Sequence, residues 1–257
     1  LSIFRDSRDN LWLGLDNGID YIQLESPFTT LGPASGIDGT GYAAVFHQNK
    51  LILGTNQGLF ERNQNKNRGL EFQKIPGLNG QVWCLDSHNE RLLIGHHNGL
   101  FSFEKGQITK ISPDAGVWKL IRLSSNPDYL IAGTYTGLSL YHFSESNQNW
   151  EFIKQLEGFD ESARVLEEDK DGNIWVSHVY KGLYKISLDL QNFEISSVKF
   201  YNSNNGLPDD LRINVGKIRE EVVFATPKGI YRYETASDSF LAHESFTEII
   251  GADVVVD

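Results

Sequence analysis

A short phrase recurs six times along the chain and limits the folds available to it. Each copy has an apolar run ending in a small residue, a loop of three or four residues, and then a glycine followed by an aliphatic residue. The phrases follow one another at steps of 38 to 47 residues, and their second glycines are Gly18, Gly58, Gly99, Gly137, Gly182 and Gly229. A strand, turn, strand unit repeated at this period is typical of a β-propeller.

The third copy shows how one unit divides into strands. Apolar runs bounded by turn residues predict strands at 81–85, 91–95, 99–103 and 107–111. Second strands such as Leu92-Leu-Ile94 are apolar at successive positions, so both faces of their sheet must be covered. Radial stacking of blades covers both faces. We therefore expect an all-β fold, a β-propeller of four-stranded blades, with six repeats visible as part of a seven-bladed ring.

The two small positions of the phrase have different explanations. The second is glycine in all six copies, which predicts a positive φ at the end of the loop. The first is glycine, Ser177 or Ala225, which indicates a steric demand, and we expect close approach to the neighbouring blade there. Both positions therefore belong to the scaffold.

Composition and length bound the remaining possibilities. The repeat spans all 257 residues, so we expect a single domain over 1–257. With 23 Lys and Arg against 34 Asp and Glu, the net charge of −11 argues against direct nucleic-acid binding. The single cysteine, Cys84, permits no internal disulfide and is expected to be a buried, inert thiol.

Both ends of the chain have the character of strands. The strand-like segments are 1–4 at one end and Ala252 to Val256 at the other. We therefore expect both ends to be truncated from a longer multidomain sensor. No apolar run is long enough to span a bilayer. Any contact with a membrane is therefore expected only through regions outside this segment.

Two copies carry a further motif, in which an aspartate-rich turn precedes a tryptophan. The turn runs from Asp6 to Trp12 in the first repeat and from Asp169 to Trp175 in the fifth. The segment 169–173 also shares features with a calcium loop but lacks the downstream bidentate glutamate, so a hairpin turn is the preferred interpretation. The tryptophans are expected to pack between blades.

These turn and glycine phrases, with Asn205-Gly206-Leu207-Pro208 before the sixth repeat, resemble two-component regulator propeller repeats. The resemblance covers nearly the whole chain. It implies the periplasmic sensor region of a hybrid two-component system, or of a membrane-anchored transcriptional regulator with a triple-tyrosine module, chiefly in Bacteroidetes. It further implies an extracellular cue, often a polysaccharide breakdown product, and a homodimer in the parent protein.

Candidate ligand-binding residues fall into two sets. Tyr42, Trp83 and Trp118 lie in first strands or just before them, near the predicted mouth of the axis, where they either fill the channel or floor a pocket. The loops between second and third strands are expected to emerge on the same face, with the candidates His96, His97, Tyr135, His178 and Tyr180. Aromatic faces with planar hydrogen-bonding groups suit sugars. The pair His96-His97 has no third ligand at a suitable spacing, so no metal site is predicted.

The sequence offers no catalytic constellation that the repeat leaves unexplained, and no cofactor motif. The leading hypothesis is a non-catalytic periplasmic sensor that recognises a carbohydrate-derived cue. One alternative is a structural or protein-interaction propeller for dimerisation or partner docking. A second is a propeller lyase or hydrolase, which requires convergent carboxylates, His or Tyr at the axis with shifted pKa values and would be favoured by His96, Tyr135 and His178 around one deep cleft.

Overall fold

Each repeat folds as one antiparallel sheet in which consecutive strands are neighbours. The computed structural model describes residues 2–26, 28–63, 71–88, 90–113 and 115–246. Within these ranges, five sheets have four strands and the first sheet has three. We number the sheets 1 to 6 in chain order. The strand predicted over 252–256, and Leu1 of the segment 1–4, lie outside the described residues.

The strand bounds agree closely with those expected from the repeat. Sheets 1 to 3 comprise β1 Ser2–Arg5, β2 Leu11–Leu15, β3 Gly18–Ile22; β4 Gly41–His47, β5 Lys50–Thr55, β6 Gly58–Arg62, β7 Phe72–Lys74; and β8 Val82–His88, β9 Arg91–His96, β10 Gly99–Glu104, β11 Gln107–Lys110. Sheets 4 to 6 comprise β12 Val117–Leu123, β13 Asn126–Thr134, β14 Gly137–Ser144, β15 Asn149–Leu156; β16 Val165–Glu168, β17 Ile174–His178, β18 Gly182–Asp189, β19 Glu194–Tyr201; and β20 Asn214–Ile218, β21 Glu221–Thr226, β22 Gly229–Glu234, β23 Ser239–Ala242. Two 3₁₀ turns, Pro33–Ser35 and Ser203–Asn205, lie in the connections that precede sheets 2 and 6.

Sheets 2 to 6 stack side by side through their first strands. β4 contacts β8, β8 contacts β12, β12 contacts β16, and β16 contacts β20. Ion pairs join neighbouring first strands, as between Asp86 and Arg122 at 2.5 Å and between Lys119 and Glu167. The first strands of sheets 2 to 6 therefore lie innermost, as a radial arrangement of blades requires.

In the second to fifth repeats, the first small residue of the phrase lies where adjacent sheets approach closely. A Cβ at Gly95 would come within 2.8 Å of the Val117 carbonyl oxygen of the next sheet. In the fifth repeat, the Ser177 hydroxyl donates to the carbonyl of Ile213, again in the segment leading into the next sheet. The expected close approach between blades is confirmed for these four repeats, whereas the atoms nearest to a Cβ at Gly14 would be those of Ser2 in its own sheet.

The second glycine of every phrase has a positive φ, between 115° and 132° in the six copies. Side chains on L-residues disfavour this region, and glycine has none. The prediction from the repeat is confirmed, and each glycine is the first residue of the third strand of its sheet.

Apolar side chains fill the interfaces between sheets. Between sheets 4 and 5, Leu140, Leu166, Val176 and Ile186 are buried in one cluster. Cys84 packs beside a second cluster, and burial raises the pKa of its thiol to about 12, as expected for an inert cysteine. Sheet 1 differs, because its large apolar side chains are exposed, among them Ile3, Phe4, Ile19 and Tyr21. The number of blades in the closed ring stays a prediction.

The two aspartate-rich segments form the same hairpin turn. Asp169 Oδ1 accepts from the backbone N–H of Asp171 and Asn173, and its Oδ2 accepts from Trp175 Nε1 at 2.8 Å. Asp6 makes the corresponding bonds in the first repeat, including one from Trp12 Nε1 at 3.1 Å. The Asp169 carboxylate is thus used in closing the turn, which supports the hairpin over the calcium loop.

Within the described ranges, no cluster of three or more His, Cys, Asp or Glu side chains is suited to holding a metal ion. The same residues contain no helix with the length and apolar character needed to cross a bilayer.

Candidate functional site

Three aromatic residues occupy the same irregular position in successive first strands. The register between the first and second strands shifts between Gly41 and Ala43, between Val82 and Cys84, and between Val117 and Lys119. The residue inside each shift is Tyr42, Trp83 or Trp118. A β-bulge of this kind leaves one residue without a cross-strand partner and redirects its side chain.

The bulges bring these side chains together with a fourth from a loop. The ring centroids of Tyr42 and Trp83 are 4.8 Å apart, and those of Trp83 and Trp118 are 4.4 Å apart. Tyr135 follows at 4.8 Å from Trp118. We call Tyr42, Trp83, Trp118 and Tyr135 the aromatic cluster. It spans sheets 2, 3 and 4 at the end of the innermost strands where the loops emerge.

Tyr135 reaches the cluster because its loop folds over the segment leading into its own sheet. Its backbone N–H donates to the carbonyl of Gly116 at 3.1 Å. Gly116 has φ 72°, and a Cβ there would overlap the Tyr135 ring. The Tyr135 hydroxyl accepts from Trp83 Nε1 at 3.2 Å. The set predicted on inner strands and one residue of the loop set thus form a single site.

The edge of the cluster is polar. The guanidinium of Arg164 lies over the Trp118 ring, with Cζ 5.1 Å from its centroid, in cation–π geometry. Trp118 Nε1 donates to Ser162 Oγ at 3.1 Å. Both residues belong to the segment that leads into sheet 5, so a fourth blade contributes to the site.

The cluster combines apolar ring surface with a small number of hydrogen-bonding groups. Tyr42 is 43% exposed, and Trp83, Trp118 and Tyr135 are half-buried. Rings held in mutual contact lose little side-chain entropy when a ligand stacks on them. Such a surface suits a ligand with apolar faces and polar edges, as a sugar ring has.

His96 does not lie on the rim, and that expectation was wrong. Its side chain is 1% exposed, its Nε2 bonds to the carbonyl of Asn79 at 3.1 Å, and its Nδ1 accepts from the backbone N–H of Asn98 at 3.2 Å. Thr55, Thr134 and Thr226 hold the same loop position in other repeats, and each hydroxyl accepts from the N–H two residues ahead. His96 therefore closes its loop as these threonines do.

Burial lowers the pKa of His96 from 6.5 to about 4, and the neighbouring His97 adds to this effect. Between those two pH values the unfolded chain binds a proton that the folded chain does not, so stability should decrease as the pH falls from 6.5 to 4. His96→Thr should lower stability at neutral pH but remove this slope, which is at most about 1.4 kcal/mol per pH unit. Urea unfolding at pH 7, 6 and 5 measures it, with His97→Thr as control. An unchanged slope in His96→Thr would contradict the assignment.

The other loop candidates lie apart from the aromatic cluster. His97 packs against His96 with ring centroids 4.1 Å apart, and its Nδ1 accepts from the Gln81 N–H at 3.1 Å. His178 lies 3.9 Å from Glu161, and its Nδ1 accepts from the Tyr180 N–H at 3.3 Å. Tyr180 is 80% exposed. His96, Tyr135 and His178 each have different partners, so they do not form the cluster around one cleft that would favour the enzyme alternative.

Solved structures share this architecture. The extracellular domain assigned to the hybrid two-component system BT3049 of B. thetaiotaomicron has a TM-score of 0.62 at 15% identity, over 83% of this chain and 31% of that chain. The extracellular domain assigned to the one-component system BT4673 of the same organism has a TM-score of 0.60 at 18% identity, over 98% of this chain and 34% of that chain. This chain thus spans about a third of the length of either. Both are extracellular domains assigned to bacterial two- or one-component systems, the class of protein whose repeats those of this chain resemble.

A third neighbour decides the architecture. The WD40 β-propeller domain of Doa1 has a TM-score of 0.53 at 12% identity, over 94% of this chain and 77% of that chain. The fold is a β-propeller. A protein of Bacteroides fragilis assigned as a 6-phosphogluconolactonase is also similar, with a TM-score of 0.55 at 11% identity over 83% of this chain and 70% of that chain. No family model and no curated protein matches the sequence.

The sequence-based prediction missed Arg164, which joins the site from the fifth blade of the propeller. Arg164 directly precedes Val165, the first paired residue of β16. Tyr42, Trp83 and Trp118 directly precede the corresponding paired residues of β4, β8 and β12. In each of these repeats, the first strand has one residue that pairs with the first small residue of the phrase. When the repeats are aligned on that residue, Arg164 occupies the position that Tyr42, Trp83 and Trp118 occupy in the other repeats. The signal was present but was hidden by the change from an aromatic to a basic residue.

Proposed function

We propose that this chain is a non-catalytic sensing β-propeller, the periplasmic part of a two-component or membrane-anchored transcriptional regulator. The aromatic cluster recognises a carbohydrate-derived cue. The observation that carries the proposal is the convergence of four aromatic side chains from three blades, bordered by Arg164 and Ser162. The likeness to extracellular domains of bacterial regulators supports the sensor role and the periplasmic location.

The construction of the cluster favours a binding role over simple filling of the channel. Side chains that only fill space are buried, as Trp150 and Trp175 are, whereas each member of the cluster keeps part of its surface in contact with solvent. The three bulges direct neighbouring residues of different blades to one place. Repetition of a costly local irregularity at one site is typical of a surface shaped for recognition.

Trp83 is the central member, so its removal should cost the most affinity. Trp83→Ala should weaken binding of the recognised saccharide about 30-fold or more, as expected for a central aromatic anchor. Isothermal titration calorimetry against a panel of plant and host oligosaccharides measures this effect. Trp12→Ala is the matched control, because Trp12 is a partly exposed tryptophan of sheet 1, outside the cluster. Equal affinity in wild type and Trp83→Ala would exclude the cluster as the binding site.

Sensing also requires that binding alters the regulator. A ligand shifts an equilibrium only if its affinity differs between the two states. We propose a homodimer in the parent protein, in which the bound saccharide favours one arrangement of the paired propellers.

A protein-interaction propeller is the second candidate. The observation in its favour is sheet 1, which exposes Phe4, Ile19 and Tyr21 on one face. An exposed apolar surface of this kind is typical of a protein contact. Absence of any saccharide binding, together with self-association lost in Ile19→Asp, would favour this function over the first.

A further inference from the structure

A cavity adjoins the aromatic cluster on the side of the fifth and sixth blades. Its volume is about 340 Å³, and its walls are formed by Arg164, Val165, Val179, Arg212, Ile213 and Asn214. These residues come from the segments that begin β16 and β20 and from the loop after β17. The cavity therefore opens between the innermost strands of two blades, on the same face as the cluster.

Arg164 belongs to both features. Its guanidinium lies over the ring of Trp118, and the same side chain lines the cavity. A ligand stacked on the cluster would thus have its edge directed toward the cavity. The aromatic cluster and the cavity are thus joined through Arg164, and together they extend from sheet 2 to sheet 6.

The two arginines of the cavity have no anionic partner within the described part of the chain. Four other arginines are paired with carboxylates, among them Arg91 with Glu104 and Arg122 with Asp86. Arg212 is fixed through its backbone, whose N–H bonds to the carbonyl of Val179 at 3.4 Å. In a protein with a net charge of −11, two guanidinium groups at one cavity, neither with a carboxylate partner among the described residues, mark a local preference for negative charge.

We infer that the saccharide is acidic and that its oxyanion, a uronate carboxylate or a sulfate ester, is held between Arg164 and Arg212. This inference rests on the proposed function of the aromatic cluster. Guanidinium groups bind planar carboxylates and sulfates through paired N–H donors, and their geometry suits both. The sugar rings stack on Trp83 and Trp118, and the acidic group enters the cavity. Val165, Val179 and Ile213 form the apolar part of the wall, and both guanidinium groups are exposed to an entering ligand.

The test compares matched acidic and neutral saccharides on the intact chain by calorimetry. The probes are oligogalacturonides, their methyl esters, chondroitin sulfate disaccharides and the desulfated disaccharides. An acidic probe should bind, and Arg164→Ala and Arg212→Ala should each weaken it about 10- to 100-fold. Arg219→Ala is the control, because Arg219 lies in the turn between β20 and β21, at the far end of β20 from the cavity. Loss on methyl esterification identifies a carboxylate, and loss on desulfation identifies a sulfate.

The outcomes separate this inference from the proposed function. Binding of a neutral saccharide that requires Trp83 but is unchanged in Arg164→Ala and Arg212→Ala would overturn the acidic ligand and leave the aromatic site in place. Binding that requires the arginines but not Trp83 would overturn the aromatic site. Absence of binding by every probe and by the neutral panel would overturn both.

Discussion

Trp175→Ala should lower the free energy of unfolding by about 3–5 kcal/mol, the usual cost of removing a large aromatic side chain from a core. Trp175 is 1% exposed and lies at the interface between the fifth and sixth blades. Its ring centroid is 4.9 Å from that of Phe224 and 4.9 Å from that of Tyr233, both in sheet 6. The substitution would leave a cavity between the two blades. The rings that line it are held in their own sheet and could fill the space only if the blades shifted.

The indole also secures the turn that precedes it. Trp175 Nε1 donates to Asp169 Oδ2, and without this bond the carboxylate keeps only its partners within the turn. Trp175→Phe separates the two effects, because it retains most of the ring packing and removes the donor. We expect Trp175→Phe to cost less than half as much as Trp175→Ala.

The first repeat provides the matched control, since Trp12 follows the same aspartate turn. Trp12 is 41% exposed, so Trp12→Ala should cost less than about 1 kcal/mol. Guanidinium chloride unfolding followed by circular dichroism gives both values from one series. A Trp12→Ala variant as unstable as Trp175→Ala would show that the turn, and not the packing between blades, determines the role of these tryptophans.

The comparison of these two tryptophans also shows how far the sequence predicts the structure. A local motif determines local geometry, and the Asp6 and Asp169 turns form alike. Burial depends on what packs from outside the motif. Trp175 meets the rings of sheet 6, whereas Trp12 contacts Tyr21 of its own sheet. The expectation that such tryptophans pack between blades therefore holds for Trp175 and is not met by Trp12 within the described residues.

The candidate site was predictable in part for the same reason. Spacing placed Tyr42, Trp83 and Trp118 at one level of successive strands, because the repeat preserves strand length. The contribution of Tyr135 depends on a loop folding back over Gly116, and the burial of His96 depends on its bond to Asn79. The first contact does not follow from a residue's position in the phrase, whereas His96 holds the position at which threonines close the loop in other repeats. Tyr135 and His96 lie in equivalent loops of successive repeats, at adjacent loop positions. Tyr135 reaches the aromatic cluster, whereas His96 closes its own loop.

The recurring glycine provides a sharper separation between backbone conformation and packing. Gly137 and Gly229 have nearly the same φ, 115° and 118°. A Cβ at Gly229 would meet nothing within 4 Å, whereas at Gly137 it would overlap the carbonyl oxygen of Phe159 in the connection to the fifth blade. Both positions therefore require a residue that tolerates a positive φ. Only Gly137 also lacks the space for a side chain.

Gly229→Ala should therefore cost about 1–3 kcal/mol, the strain of a side chain at positive φ. Gly137→Ala should cost a further 1–3 kcal/mol or so, because the rigid Phe159 peptide must move away from its packed position beside sheet 5. Denaturant midpoints at equal m-values measure the difference directly. Equal destabilisation of the two variants would mean that the Phe159 segment yields freely and that the glycine is retained for its dihedral angle alone. A larger loss in Gly137→Ala would show that the same glycine also sets how closely successive blades approach.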